Sequence, residues 1–151
     1  MAMDATDRMI IDELQRDGRI SVTELADRIP LSLSATSERL KRLLDSGVIA
    51  GVHAQIDPTL AGRSIEAMVD VRFTPGVSPG YPAMVGPGFE AVLDAVDLTG
   101  RFDIQLRVAT KDVAELDELL RRLKEECGAE ETNTRLILRT LDGFPRPLTP
   151  H

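Results

Sequence analysis

Side chains that could bind nucleic acid are concentrated in one short stretch of the sequence. Small hydroxyl-bearing residues come first and basic residues follow, in the set Ser34, Ala35, Thr36, Ser37, Glu38, Arg39, Lys41 and Arg42. Hydroxyl, ammonium and guanidinium groups are the donors that contact base edges and phosphates of DNA. Residues 32–44 contain three cations and a single carboxylate, that of Glu38, so their local charge is +2. This pattern predicts a DNA-contacting element.

Apolar periodicity places this element on a helix that Ser32 can cap and that closes at Gly47. At 100° per residue, one arc is predicted to pack inward: Leu33, Thr36, Leu40, Leu43 and Leu44. The opposite arc holds most of the polar set, including both arginines. The helix should therefore present its polar arc to a DNA groove, N-terminus first.

Two shorter helices are predicted before it. The first runs from Asp7 to Gly18, and the second begins at the capping-box sequence Ser21–Glu24 and cannot easily pass Pro30. Two short helices joined by a tight turn, the second being the reader, form a helix-turn-helix. Residues 48–57 then alternate Val48, Val52 and Ile56, which predicts a strand that serves as a wing or as a tether to the next domain.

The second half of the chain is predicted to be a small α+β domain. Residues 65–73 and 102–108 alternate as strands, Asp112 can cap a helix that ends at Gly128, and a final strand is predicted from Thr132 to Leu141. Residues 89–98 fit a helix and a strand equally well. If they form a strand, the order is βαββαβ, the ferredoxin-like arrangement.

One segment of that domain fits no long helix. Residues 74–88 contain four prolines and four glycines, so only Tyr81–Val85 could form a turn or two. With so little helix to cover it, the sheet should expose an apolar face built on Val69, Val71, Ile104, Leu106, Leu136 and Leu138. A second copy of the chain is the simplest cover, which predicts a dimer.

Composition argues against catalysis and metal binding. The chain has two histidines, His53 and His151, and one cysteine, Cys127. Residues 64–141 contain no histidine, so we expect no catalytic residues, no metal and no cofactor there. No apolar stretch is long enough to span a membrane, and the acidic N-terminus does not resemble a secretory signal, so the sequence predicts a cytoplasmic protein. The net charge of −7 predicts weak non-specific affinity for DNA.

These residues resemble the Lrp/AsnC family of transcriptional regulators. The matching N-terminal pieces are Asp7, Ile10–Ile11, Leu14–Ser21, Glu24–Ala26, Arg28, Leu31–Ser32, Glu38–Leu43, Gly47–Ile49 and Gly51. The C-terminal match is Leu98–Asp103, with Leu106–Val108 and Thr132–Thr134 behind it. The resemblance covers the chain apart from residues 74–88 and the tail.

The resemblance implies a winged helix-turn-helix DNA-binding domain joined to a ferredoxin-like regulatory domain. We place the first at residues 1–57, a hinge at 58–63, the second at 64–144 and a tail at 145–151. Proteins of this kind bind double-stranded DNA as dimers that assemble further, often to octamers. They respond to small effectors, commonly amino acids, bound between protomers.

The family's Gly-x-x-Asp loop lies at that effector site, which implies roles for Gly100 and Asp103. Leu98, Thr99 and Arg101 follow by adjacency. An amino-acid effector could place its carboxylate on the loop amides and Arg101, and its ammonium group on Asp103. The alternative interpretation is a plain hairpin turn stabilised by Asp103.

The sequence departs from the family pattern at three places. Pro30 stands where the family usually has Gly, Leu33 stands where it often has Pro, and residues 74–88 replace a proper helix. Two other functions therefore remain open. One is an effector-binding or oligomerisation module without DNA activity, which the acidic balance would suit. The other, weaker because the second domain lacks histidine, is an enzyme similar to the tetrapyrrole decarboxylases that resemble this family.

Overall fold

The computed structural model describes residues 3–76, 84, 86–139 and 141. The described chain falls into two compact units, divided between Gln55 and Ile56. None of the described helices is both long enough and apolar enough to cross a membrane.

Three helices form the first unit: α1 (Ala5–Arg16), α2 (Val22–Arg28) and α3 (Leu33–Asp45). Their N-caps are Asp4, Ser21 and Ser32, each accepting a hydrogen bond from a backbone amide of the first turn. The small core consists of Ile10, Leu25, Ile29 and Leu43, all buried. The predicted helix-turn-helix is therefore present. The turn accommodates Pro30 because α2 ends at Arg28 and Ile29 is already extended.

Two leucines predicted to pack inward do not. Leu33 and Leu44 are 51% and 43% exposed, whereas Leu43 is fully buried. Both lie near the ends of α3. The angular pattern continues to these ends, but the helices that cover the middle of α3 do not extend over them. The inward arc is shorter than the periodicity predicts.

The strand predicted at residues 48–57 is wrong for this chain. Residues 50–57 belong to no helix or strand, and Val48, Val52 and Ile56 are all exposed. A strand exists through its ladder partner, and no described residue of this chain supplies one. Alternation indicates the side-chain pattern of a strand but does not provide the second strand.

The second unit contains β1 (Ile65–Phe73), β2 (Val92–Asp97), β3 (Ile104–Thr110), α4 (Val113–Cys127) and β4 (Ala129–Leu136). The sheet order is β2-β3-β1-β4, and each neighbouring pair is antiparallel. This order is that of the ferredoxin-like fold, as predicted, with the ambiguous segment forming β2. The predicted turn at Tyr81–Val85 lies outside the described residues, apart from Met84, which is buried.

The final strand is displaced from its predicted bounds. Gly128 ends α4 in the left-handed conformation, and β4 begins at the next residue. The strand consequently ends at Leu136, so Leu138 lies beyond the sheet and is exposed.

The predicted apolar open face of the sheet is also wrong. Val69, Val71, Ile104 and Leu106 are buried in one core together with leucines of α4. Because strand residues alternate, the opposite face carries the other set, which is mostly polar: Asp70, Arg72, Gln105, Arg107, Glu131, Asn133 and Arg135, with Met68 and Val96 among them. The helix covers the apolar side of the sheet, and the uncovered side is charged.

Candidate nucleic-acid interface and effector loop

The exposed face of α3 contains part of the predicted DNA-contacting set. Ser34, Ser37, Glu38 and Lys41 are exposed, and Ala35 is half-buried. No ion pair of Lys41 is recorded within the described part of the chain. These side chains stand on a helix held by the buried Leu43.

Thr36 is wrongly placed in the predicted contact set. Its side chain is fully buried, and its hydroxyl donates to the Ser32 carbonyl at 3.0 Å. The inward arc of the same helix had already indicated this position. Thr36 packs the start of α3 against the core and offers nothing to a ligand.

The two arginines of α3 lie against the start of α1. Arg39 Nη1 contacts Asp4 Oδ2 at 2.5 Å and Asp7 Oδ1 at 2.9 Å. Arg42 Nη2 contacts the same Asp7 oxygen at 2.8 Å. The side chain of Asp7 is only 2% exposed, so it is a buried anion between two cations of the reader helix. We did not predict this arrangement, although the capping sequence Asp4-Ala-Thr-Asp7 could have indicated it.

Hydrogen bonds shift the pKa values of two residues in this cluster. The backbone amide of Asp7, and then the Arg39 guanidinium, lower the pKa of Asp4 below its usual value. Asp4, followed by Asp7, raises the pKa of Arg39. Asp4 and Arg39 are therefore both ionised at neutral pH. The carboxylates of Asp4 and Asp7 offset the positive charge of the basic stripe predicted on α3.

The loop between β2 and β3 contains the predicted effector residues Leu98, Thr99, Gly100, Arg101 and Asp103. The Leu98 amide donates to the Asp103 carbonyl at 2.8 Å, which closes the loop. Gly100 has φ +114°, a conformation that side chains rarely adopt. A Cβ at Gly100 would meet no atom within 4 Å, so the need for glycine here is conformational and does not come from crowding within this chain.

Asp103 attaches the loop to the sheet. Its amide donates to the Val71 carbonyl at 2.9 Å, and its carboxylate Oδ2 accepts from the Phe73 amide at 2.7 Å. The carboxylate predicted to bind an ammonium group already has one oxygen engaged by β1. Its other oxygen is the one a ligand could use.

Arg101 of the same loop contacts two other side chains. Its Nη2 contacts Glu131 Oε1 at 2.5 Å, and its guanidinium lies 5.3 Å from the centre of the Phe102 ring. Glu131 also contacts Arg72 at 2.9 Å. A ligand carboxylate would therefore share Arg101 with Glu131, a residue that we did not predict.

A second polar cluster lies on the open face of the sheet and was also not predicted. Asp70 is buried and accepts from Gln105 at 2.7 Å, Asn133 at 3.2 Å and Arg135 at 2.9 Å. Its position in the alternation of β1 already placed it on the face opposite Val69. The chemistry of the cluster is that of a satisfied buried carboxylate.

Among the described residues, no group of three or more His, Cys, Asp and Glu side chains is arranged to hold a metal ion. Cys127 is buried at the end of α4, and burial raises the pKa of its thiol. A protonated, enclosed thiol is a packing group rather than a nucleophile.

Comparison with known proteins matches both units. Residues 3–50 match the winged helix-turn-helix DNA-binding family, and residues 87–146 match the Lrp/AsnC ligand binding domain. The leucine-responsive regulatory protein of Haemophilus influenzae is 33% identical over 91% of this chain and 84% of its own length. The HTH-type transcriptional regulator FL11 of Pyrococcus abyssi is 31% identical over 93% and 92%.

Solved structures agree with these relatives. A feast or famine regulatory protein of Mycobacterium tuberculosis, complexed with L-methionine, has a TM-score of 0.86 at 31% identity and covers 94% of this chain and 96% of its own. A transcriptional regulator of Neisseria meningitidis, also complexed with L-methionine, has a TM-score of 0.85 at 26% identity, with 98% and 97% covered. The predicted resemblance is confirmed: this chain is a member of the Lrp/AsnC family of transcriptional regulators, with a helix-turn-helix that binds DNA and a domain that binds a ligand.

Proposed function

We propose that this protein binds specific double-stranded DNA sites through the exposed face of α3 and that an amino acid bound at residues 98–103 changes that binding. The DNA-binding part of this proposal depends on one observation, the polar face of α3. Ser34, Ser37, Glu38 and Lys41 are exposed together on a helix whose opposite side is fixed in the core.

The chemistry of this face suits base reading better than bulk phosphate binding. Serine hydroxyls donate or accept at base edges, Glu38 can accept from a cytosine amino group, and Lys41 can donate to guanine or to a phosphate. Ala35 can contact a thymine methyl group. Arg39 and Arg42 would bind DNA phosphates, because each guanidinium still has N–H groups beyond those that contact α1.

The effector half of the proposal depends on the Thr99–Asp103 loop. The free edge of Asp103, the guanidinium of Arg101, the Thr99 hydroxyl and the backbone at Gly100 offer groups of both signs within five residues. An α-amino acid presents the complementary ammonium and carboxylate groups, and burying either one unpaired would be unfavourable. The L-methionine complexes of the two relatives support an amino acid as the ligand class.

The species that binds DNA is, in this proposal, a homodimer, which can assemble further towards an octamer. A dimer places two reader helices on two half-sites about one DNA turn apart, or a multiple of it. The role is regulatory and involves no catalysis, cofactor or metal.

The test is binding of the purified protein to the DNA upstream of its own gene, with and without each of the standard amino acids. We expect saturable binding that exceeds binding to a shuffled duplex, and one or a few amino acids that change it. Thermal unfolding with the same amino acids provides a second readout of ligand binding. Ligand-induced stabilisation without any preference for specific DNA would instead support the effector module without DNA activity.

A further inference from the structure

The basic stripe of α3 is neutral in the free protein. Within the helix, the three positive charges of Arg39, Lys41 and Arg42 are opposed by one negative charge, on Glu38. Two more carboxylates, those of Asp4 and Asp7 at the start of α1, are in direct contact with the two arginines. The charge available to a DNA backbone is therefore much smaller than the sequence of α3 indicates.

The two carboxylates differ in accessibility. Asp7 is almost fully buried, caps the start of α1 together with Asp4, and contacts both arginines. Asp4 is at the surface, with half of its side chain exposed, and of the two arginines it contacts only Arg39. Asp7 is consequently a fixed anchor, whereas water and ions can reach the bond between Asp4 and Arg39.

We propose, on the basis of the function proposed above, that Asp4 lowers the affinity of α3 for DNA by pairing with Arg39 in the free protein, so that a DNA phosphate must compete with the Asp4 carboxylate for this arginine. Exchanging one anion for another adds little affinity. Non-specific DNA offers Arg39 only that exchange, while a specific site adds contacts to Ser34, Ser37 and Lys41. Asp4 thus lowers affinity for all DNA by a similar factor, so that only sites with the additional contacts bind appreciably.

The geometry allows Arg39 to exchange partners without losing its place. Its Nη1 is the atom that contacts both carboxylates. When a phosphate replaces Asp4, the bond to the buried Asp7 still holds the guanidinium near the surface. Asp7 therefore keeps Arg39 in position while its outer partner changes.

The experiment compares Asp4→Asn and Asp4→Ser with the wild type in the full-length protein. Both substitutions keep a side-chain acceptor that can cap α1, and both remove the charge. The control is Asp27→Asn, which removes the same charge from an exposed position of α2. Fluorescence anisotropy on a random-sequence duplex and on the upstream duplex gives the two affinities, and circular dichroism melting checks that each variant is folded.

The expected result is a gain of about two- to fivefold in affinity for the random duplex for both Asp4 variants, larger than for Asp27→Asn. The affinity for the upstream duplex should rise by a similar factor, and both gains should shrink at high salt as the exposed pair is screened. Weaker DNA binding by both Asp4 variants would overturn the proposal, because the carboxylate would then position Arg39 for DNA. A gain no larger than that of Asp27→Asn would also overturn it, because it would show only a general charge effect.

Discussion

Lys41 and Arg39 lie two residues apart on α3 and have different partners. Lys41 is exposed, while Arg39 contacts two carboxylates of α1. Lys41→Ala should leave the melting temperature unchanged, weaken DNA binding, and reduce the salt slope by about one unit for the lost phosphate contact. Arg39→Ala should lower the melting temperature, because it leaves the buried Asp7 with fewer partners.

Melting curves and salt titrations of the two variants check this difference. Exposure on the outer arc of α3 would by itself leave the fold indifferent to Arg39, and the contact with Asp7 is the reason to expect otherwise. Equal melting temperatures for both variants would show that the contact between Arg39 and Asp7 adds no stability. Unchanged DNA affinity in a folded Lys41→Ala protein would remove Lys41 from the interface.

Asp103 combines a structural bond with a predicted ligand contact, and two substitutions separate them. Asparagine keeps an oxygen for the Phe73 amide but cannot neutralise an ammonium group. Asp103→Asn should therefore keep its stability and lose the amino-acid response, whereas Asp103→Ala should also lose about 1 kcal/mol of stability. Calorimetry with the responding amino acid measures the first effect and denaturant unfolding the second. A full ligand response in Asp103→Asn would assign Asp103 to the hairpin alone.

At the scale of elements, capping interactions decide where helices begin, and one of them titrates. The Ser21 hydroxyl, followed by its amide, lowers the pKa of Glu24 below its ordinary value of 4.5. A carboxyl whose pKa is lower in the folded state stabilises the fold above the unfolded pKa, and this contribution is lost as pH falls through the folded pKa. Glu24→Gln should therefore be less stable than wild type at pH 7, and the difference should diminish below about pH 4.5. Urea unfolding at several pH values measures it, and a difference that stays constant down to pH 3 would contradict the prediction.

The C-terminal end of α4 depends on the backbone conformation of a glycine. Gly128 has φ +76°, and its amide donates to the Leu123 carbonyl. Gly128→Ala should destabilise the protein by about 1 kcal/mol, because a side chain disfavours the left-handed region. Gly128→Asn should cost less, since asparagine tolerates that region. Equal losses in the two variants, measured by thermal unfolding, would point to crowding rather than to conformation.

Elements with one clear period were predictable from the sequence. The three N-terminal helices, β1, β3 and α4 each show an apolar repeat and a turn or cap at an end. Residues 89–98 fit two periods, and pairing with β3 decides for a strand. Residues 48–57 have the right period but no partner strand within the described chain. The strand β4 begins early because Gly128 lets the chain turn directly into it. Local pattern predicts what a segment can become, and pairing over long distances decides the outcome.

The candidate sites follow the same division. The exposed serines and Lys41 of α3 were predictable, because helical periodicity alone places them outward. The bond between Asp7 and Arg42 was not, since it joins residues 35 positions apart in the chain. Glu131 was missed beside Arg101 for the same reason, being 30 positions away.

At the scale of the whole molecule, the open face of the sheet does not by itself explain a dimer. The open face of the sheet is polar, so it is not an apolar surface that requires a cover. Among the exposed apolar side chains of the described chain, Val48 and Val52 lie in a segment that alternates but belongs to no strand. A second copy of the same segment could supply the antiparallel partner that this alternation lacks, which would be an isologous contact.

We therefore expect sedimentation velocity at micromolar concentration to show a dimer or a larger assembly. Val52→Glu should shift the equilibrium towards monomer, because it places a charge in the apolar row of the shared contact. Gln55→Glu is the matched control: it adds the same charge three residues away, on the opposite side of the alternation, and should leave the assembly intact. A wild-type monomer would refute the dimer. A dimer that neither substitution weakens would place its interface outside residues 48–57, with the polar face and the edges of the sheet as the surfaces to test next.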